Sequence, residues 1–208
     1  TFEINKNKSK EGQLVMQAFF SQDRWIEFQY SLLPDSYLLD YSITSSNFQS
    51  FIDASGPSRL IWNLKSFRNS KSVEYENRYT ELTYGYENDK VNELSITGTD
   101  EEKVDEIQWI SYKQHFFNSI LIPDKKINNV FLKSENLVQS EDKKEKYTKF
   151  YSSVIPLKNN GVFDFKFKWY FGPSQYSTLS NYNIGIEKSV NYGWGIFGWI
   201  NKYIFIPL

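Results

Sequence analysis

His115 is the one histidine of a 208-residue chain that has no cysteine, so the chemistry open to it is narrow. A metal centre built on imidazole or thiolate needs several such ligands converging on the ion, and the chain offers neither a histidine pair nor a thiol. A Ser-His-Asp arrangement would have to use His115. The stretch YKQHFFNS places it between two strand-like segments, without the sharp strand-to-helix turn that presents a nucleophilic serine, so His115 reads as a turn or strand-edge residue. The carboxylate pairs Glu101/Glu102 and Glu141/Asp142 sit in polar stretches, where little raises a carboxyl pKa into the range of a general acid. The glycines of YGWGIFGW (192–199) lack the Lys-Ser/Thr that makes a phosphate loop specific. No catalytic, cofactor-binding or metal-ligating residue is assigned, and the sequence reads as non-enzymatic.

The residues that can act do so by partitioning rather than by bond making. NYGWGIFGWINKYIFIPL (191–208) is the most apolar segment of the chain. Gly193, Gly195 and Gly198 disfavour a core strand, and Asn201 and Lys202 interrupt the run well before the ~20 apolar residues of a membrane span. Helical spacing aligns Asn191, Gly195, Gly198 and Lys202 on one narrow stripe, with Trp194, Ile196, Phe197, Trp199, Ile200, Tyr203 and Ile204 around the rest. That pattern suits a helix from Glu187 to about Tyr203 lying at a bilayer boundary. The rings of Trp194, Trp199 and Tyr203 prefer such an interface, and Lys202 can reach phosphates along its apolar stem. The competing reading packs the helix wholly against a sheet. The Gly195/Gly198 stripe also suits close approach by a neighbouring helix.

The elements that must position this segment are strands. Phe163, Phe165, Phe167 and Trp169 alternate with Asp164, Lys166 and Lys168, and Ile26, Phe28, Tyr30 and Leu32 alternate with Glu27, Gln29 and Ser31, the signature of strands buried on one face. Less regular runs are 13–20, 37–44, 59–67, 79–86, 105–112, 116–122, 127–137 and 146–155. Turn residues separate them at 33–36, 55–58, 123–126 and 159–161. About ten strands with short connections imply stacked antiparallel sheets. Thr99–Glu102 reads as an acidic turn and Ser140–Lys146 as a charged loop. After these strands, Gly172 is expected to bend the chain and Pro173 to open a short helix, which Tyr176, Leu179 and Tyr182 dock on the sheets. The expected division is 1–171 for the β domain and 172–208 for a helical segment.

Composition agrees with one sizeable core: 40% of residues are hydrophobic and 18% aromatic. Lys plus Arg number 24 against 25 acidic residues, a balance without the positive field of a nucleic-acid binder. The opening TFEINKNKSKEGQ is polar, with no signal-peptide apolar core, and reads as the start of an excised piece.

WYFGPSQYSTLSNYNIGIEKSVNYGWGIFGWINKYIFIPL resembles the segment of the YidC membrane protein insertases that links their large periplasmic domain to the second transmembrane helix. In that family a strand ends in Gly-Pro, here Gly172-Pro173. A short helix follows, here Gln175–Tyr182, and then an aromatic helix of the Tyr192-Gly193-Trp194 type runs along the membrane. WISYKQHFFNSILIP (Trp109–Pro123) is similar to the family's motif of two adjacent strands in its Bacteroidetes form. The resemblance implies a mainly β antiparallel supersandwich, galactose-mutarotase-like, with C-terminal helices. It also implies a periplasmic location in an inner-membrane protein, trimmed at its N-terminus, with a span beginning near or after Leu208 and Pro207 stopping the interfacial helix. The implied partners are nascent membrane proteins, the membrane surface and the Sec translocon components SecD, SecF and SecY. Kinship with sugar mutarotases does not carry sugar chemistry, which uses histidines that a chain with His115 alone does not supply. Two alternatives stay open on the residues themselves. The aromatics suit a carbohydrate-binding or carbohydrate-modifying module, and an enclosed apolar cavity would suit a secreted lipid-binding protein.

Overall fold

The computed structural model describes residues 2–48, 58–138, 145–158 and 161–190. It is 57% strand and 9% helical, which places it in the mainly β class. In chain order the strands are β1 (Glu3–Ile4), β2 (Gln13–Phe19), β3 (Trp25–Leu32), β4 (Leu38–Ser46), β5 (Ser58–Phe67), β6 (Thr80–Tyr86), β7 (Lys90–Glu93), β8 (Thr99–Val104), β9 (Ile107–Gln114), β10 (Phe117–Pro123), β11 (Val130–Asn136), β12 (Tyr147–Leu157) and β13 (Asp164–Pro173). Helix α1 (Val73–Arg78) lies between β5 and β6, and α2 (Tyr176–Ser180) and a 3-10 turn (Ile186–Ser189) follow β13. A nine-stranded sheet runs β1-β2-β3-β4-β13-β10-β9-β6-β7, and a four-stranded sheet runs β5-β12-β11-β8. The paired strands are antiparallel throughout.

The main core lies where the sheets face each other. Tyr112 of β9 stacks on Trp62 of β5 with ring centroids 3.8 Å apart. Its hydroxyl donates to the Trp62 carbonyl at 3.2 Å and shares a 2.5 Å hydrogen bond with Ser153 of β12. Leu82, Leu121, Leu132 and Tyr151 close the space around this pair. Burial of so many aromatic rings supplies most of the driving force for the sandwich. The alternation along β13 has its physical cause here: Phe163, Phe165, Phe167 and Trp169 all pack against this core, while Lys166 and Lys168 point away from it.

Three elements differ from the sequence expectation. Thr99–Glu102 is not a turn but part of β8, paired with β11 at the edge of the small sheet. Its charges are tolerated there because edge strands face water, and Glu101 pairs with Lys133 across the ladder at 3.2 Å. Pro173 does not open a helix. It ends β13 opposite Phe117, and because β4 ends at Leu38 opposite Tyr170, Pro173 has a strand neighbour on one side only, where a missing N–H is tolerated. The helix opens at Tyr176 with Gln175 as its N-cap. Gly172 likewise sits in the strand rather than in a bend. An added Cβ would lie 2.7 Å from both the Tyr170 hydroxyl oxygen and Cγ of Tyr37, so the glycine makes room for two rings.

Candidate functional site

The outer face of the large sheet carries a second apolar cluster, and it is built around the segment that follows β13. Trp109 of β9, Ile120 of β10 and Tyr170 of β13 point outward and bury with Leu179 and Ile186, flanked by Leu38, Ile122, Tyr182, Ile184 and Val190. The central strands are therefore covered on both faces, which is why β9 is buried almost throughout although half of its residues are polar. Leu179 is 0% exposed and is the buried residue of α2. Tyr182 reaches further: its hydroxyl accepts the Tyr37 backbone N–H at 3.0 Å, and its ring meets Tyr170 edge-on at 5.7 Å. The Tyr170 hydroxyl donates to the Pro173 carbonyl at 2.7 Å, and burial raises its pKa well above the usual phenol value. Tyr176 is half-buried and stands outside this cluster.

Beyond α2 the attachment becomes polar. Ser111 donates to the Asn118 side-chain oxygen at 2.7 Å, and the Asn118 amide donates to Ser189 at 3.1 Å. Ser189 donates in turn to the Ile186 carbonyl at 2.7 Å. All three side chains are buried, so this chain of bonds fixes the 3-10 turn to the sheet at one register. Gly185 enters the turn in the left-handed region at φ 80, and at the surface Lys188 pairs with Asp89 at 3.3 Å. The expected continuous helix does not start at Glu187. The turn is 3-10, and Val190 is already extended at φ −87, ψ 112, because the buried Ser189 bonds and a β-branched Val190 favour an exit. Trp194, Ile196, Phe197, Trp199, Ile200, Lys202 and Tyr203 lie outside the described residues.

His115 occupies the tight turn between β9 and β10, with φ 48. Its Nε2 lies 3.1 Å from Oε2 of Glu76, a fully buried carboxylate on α1 whose hydrogen bonds come from the Asn69 and Ser70 backbone N–H groups at 3.0 and 2.7 Å. Lys149 of β12, fully buried, reaches the C-terminal end of α1. It donates to the Asn77 and Thr80 carbonyls at 3.0 and 2.5 Å, and burial pushes its pKa down to about 8. The rings around His115 are Tyr75, Tyr79 and Phe116. These groups pin α1 to the sheet ends. Sequence reading missed α1, although Ser72 capping the Tyr75 N–H at 3.2 Å, with Glu74 and Glu76 behind it, is a helix-start signal.

Two of the solvent-open grooves lie among the described residues. One of about 430 Å³ runs on the outer face between Gln29, Asp40, Ile122, Lys166, Lys168 and Ile184. The other, of about 370 Å³, lies where residues 123–128, 156–158 and 164–167 converge. Both mix lysines with aspartates. Neither offers an exposed aromatic platform, since Tyr41 and Phe167 are buried and Phe165 half-buried. Among the described residues there is no cluster of three or more His, Asp or Glu side chains placed to hold a metal, and no helix long and apolar enough to cross a membrane.

Comparison with known proteins bears on this architecture directly. The family model described as the YidC periplasmic domain matches residues 2–207. The chain is 34% identical over 217 residues to the membrane protein insertase YidC of Azobacteroides pseudotrichonymphae, an alignment that covers 100% of the chain and 35% of that relative. It is 30% identical over 208 residues to that of Porphyromonas gingivalis, covering 95% of the chain and 33% of the relative. It is 31% identical over 211 residues to that of Bacteroides fragilis, covering 98% and 33%. The chain thus spans about a third of the length of the curated relatives it matches. With a mainly β sandwich, an outer sheet face closed by the segment after β13, and a family match along nearly its whole length, the chain belongs to the YidC periplasmic domain family.

Proposed function

We propose that this domain serves, without catalysis of its own, as the periplasmic part of an inner-membrane insertase that helps membrane proteins insert and fold beside the Sec translocon. The observation that carries the reading is the family match over residues 2–207. The docked segment supports it physically. Leu179, Tyr182, Ile186 and the Asn118–Ser189 bond hold residues 176–190 at a fixed place on the sheet, so the chain leaves the domain in a defined direction. In this reading the sandwich runs to the end of β13 at Pro173, two residues past the expected boundary after 171, and the rest of the chain to 208 is the connector. Trp194, Ile196, Phe197, Trp199, Ile200 and Tyr203 meet the membrane interface, with Lys202 at headgroup phosphates. Nascent membrane proteins, SecD, SecF and SecY engage the full-length protein. The test is complementation of an insertase-depleted strain by the full-length gene, compared with a form lacking residues 2–190 and with Leu179→Asp. Loss of substrate insertion in both variants supports a role in insertion. Full insertion and an unchanged pattern of Sec co-purification in both would reject it.

A further inference from the structure

One end of the sandwich is rimmed by exposed rings. Phe116 and Phe117, at the β9–β10 turn, are 77% and 66% exposed, and Phe171, Tyr37, Tyr79 and Phe67 are each at least 40% exposed. The backbone brings these residues to one end of the sandwich. Phe117 pairs with Pro173, Phe171 donates its N–H to the Tyr37 carbonyl, His115 donates its N–H to the Tyr79 carbonyl, and the Gln114 side chain reaches the Phe67 carbonyl. All lie at the same ends of adjoining strands. Single exposed aromatics need no explanation, but six gathered at one end do. These rings are flanked by cations. Lys146 accepts the Arg68 N–H on its carbonyl beside Phe67, and Lys71 is held near the same arginine. Of the α1 carboxylates, Glu76 is buried and Glu74 is paired with Arg78; the exposed acids nearest the rings are Glu145, beside Lys146, and Asp35, two residues before Tyr37.

We propose that this aromatic end rests against an anionic lipid surface, with Phe116 and Phe117 at headgroup depth and Lys71 and Lys146 near the phosphates. Rings projecting from strand ends and turns form a ridge, not a pocket. Aromatic rings beside lysines match the chemistry of the bilayer boundary. Membership in a periplasmic domain family of membrane proteins keeps such a surface at high local concentration. The proposal is independent of the terminal segment's role.

The chain has no cysteine, so Phe116→Cys gives a unique site for an environment-sensitive fluorophore, and Asp124→Cys gives a control at the opposite strand ends. With vesicles of phosphatidylcholine and phosphatidylglycerol, the label at 116 is expected to shift to the blue and to be reached by lipid-borne quenchers, while the label at 124 stays in water. Phe116→Ser/Phe117→Ser is expected to weaken vesicle binding about tenfold, in the wild-type and the Trp199→Glu background alike. Phe19→Ser/Phe20→Ser, at the other end, leaves it unchanged. Equal responses at 116 and 124, or an unaltered affinity of the Phe116/Phe117 variant, would overturn the proposal. So would a shift at 116 produced by an apolar peptide in lipid-free solution but not by vesicles, which assigns the ridge to a polypeptide partner.

Discussion

Leu179→Ala removes three carbons from the centre of the outer-face cluster, where the side chain is 0% exposed and packed among Trp109, Ile120, Tyr170 and Ile186. At ~0.8 kcal/mol per buried carbon the lost transfer energy alone is about 2.4 kcal/mol. The sheet strands below cannot collapse into the space, because Trp109, Ile120 and Tyr170 belong to central β9, β10 and β13, so a cavity term adds to it. The expected loss is roughly 3–4 kcal/mol, within the range for buried leucines, or a melting point lowered by about 6–16 °C for a chain of this size. Urea unfolding followed by tryptophan fluorescence measures the global term. Amide exchange at Ser189 and Val190 reports whether the segment detaches first. If release is local, exchange there accelerates more than exchange at Tyr112, and the global loss is capped by the docking energy. A global loss under about half a kcal/mol with unchanged exchange at both places refutes the docking argument.

Gly172→Ala should cost about 1–3 kcal/mol, read by the same denaturation, because the new methyl must displace the ring of Tyr37 or the hydroxyl of Tyr170. Glu76→Ala should free the Asn69 and Ser70 N–H groups and the His115 side chain together, costing roughly 2–3 kcal/mol with faster exchange in α1. Burial pushes the Lys149 pKa in the folded chain down to about 8, below the usual lysine value of 10.5, so the unfolded chain binds more protons between those values. Stability relative to Lys149→Met should therefore rise with pH from about 8 towards 10.5 and be flat below 8. Parallel slopes for the two proteins from pH 8 to 9.5 would show that Lys149 is not the titrating group. Trp199→Glu and Phe197→Glu, each assayed by liposome flotation, should reduce membrane binding through the terminal segment, and equal flotation of both with wild type would argue against that contact.

What the sequence discloses follows from what alternation can encode. β13 was legible because Phe163, Phe165, Phe167 and Trp169 all face one core while lysines face out. Tyr170 and Trp109 break the period, since their outward faces are covered by a segment remote in sequence, and no local pattern announces that cover. β7 and β8 were missed because edge strands are stabilised by a ladder on one side and carry charged residues on the other; Lys90–Glu93 is exposed along its whole length. Gly172-Pro173 marked the right place for a change of direction but the wrong mechanism. The glycine answers a close approach by rings, and the proline tolerates a strand end. The Ser111–Asn118–Ser189 chain was invisible to sequence reading, because such small polar residues acquire meaning only when two elements meet. The aromatic run 192–203, the strongest signal in the sequence, lies outside the described residues.

The central claim is that this fold stands on the periplasmic side of a membrane-embedded protein, and topology labelling of the full-length protein tests it most directly. A cysteine placed at Asp124, in a domain otherwise free of cysteine, is exposed in the folded structure. The account predicts that a membrane-impermeant maleimide modifies it in intact spheroplasts and that the modified protein stays in the pellet after alkaline carbonate extraction. Modification only after lysis, or release of the modified protein into the carbonate supernatant, would contradict it.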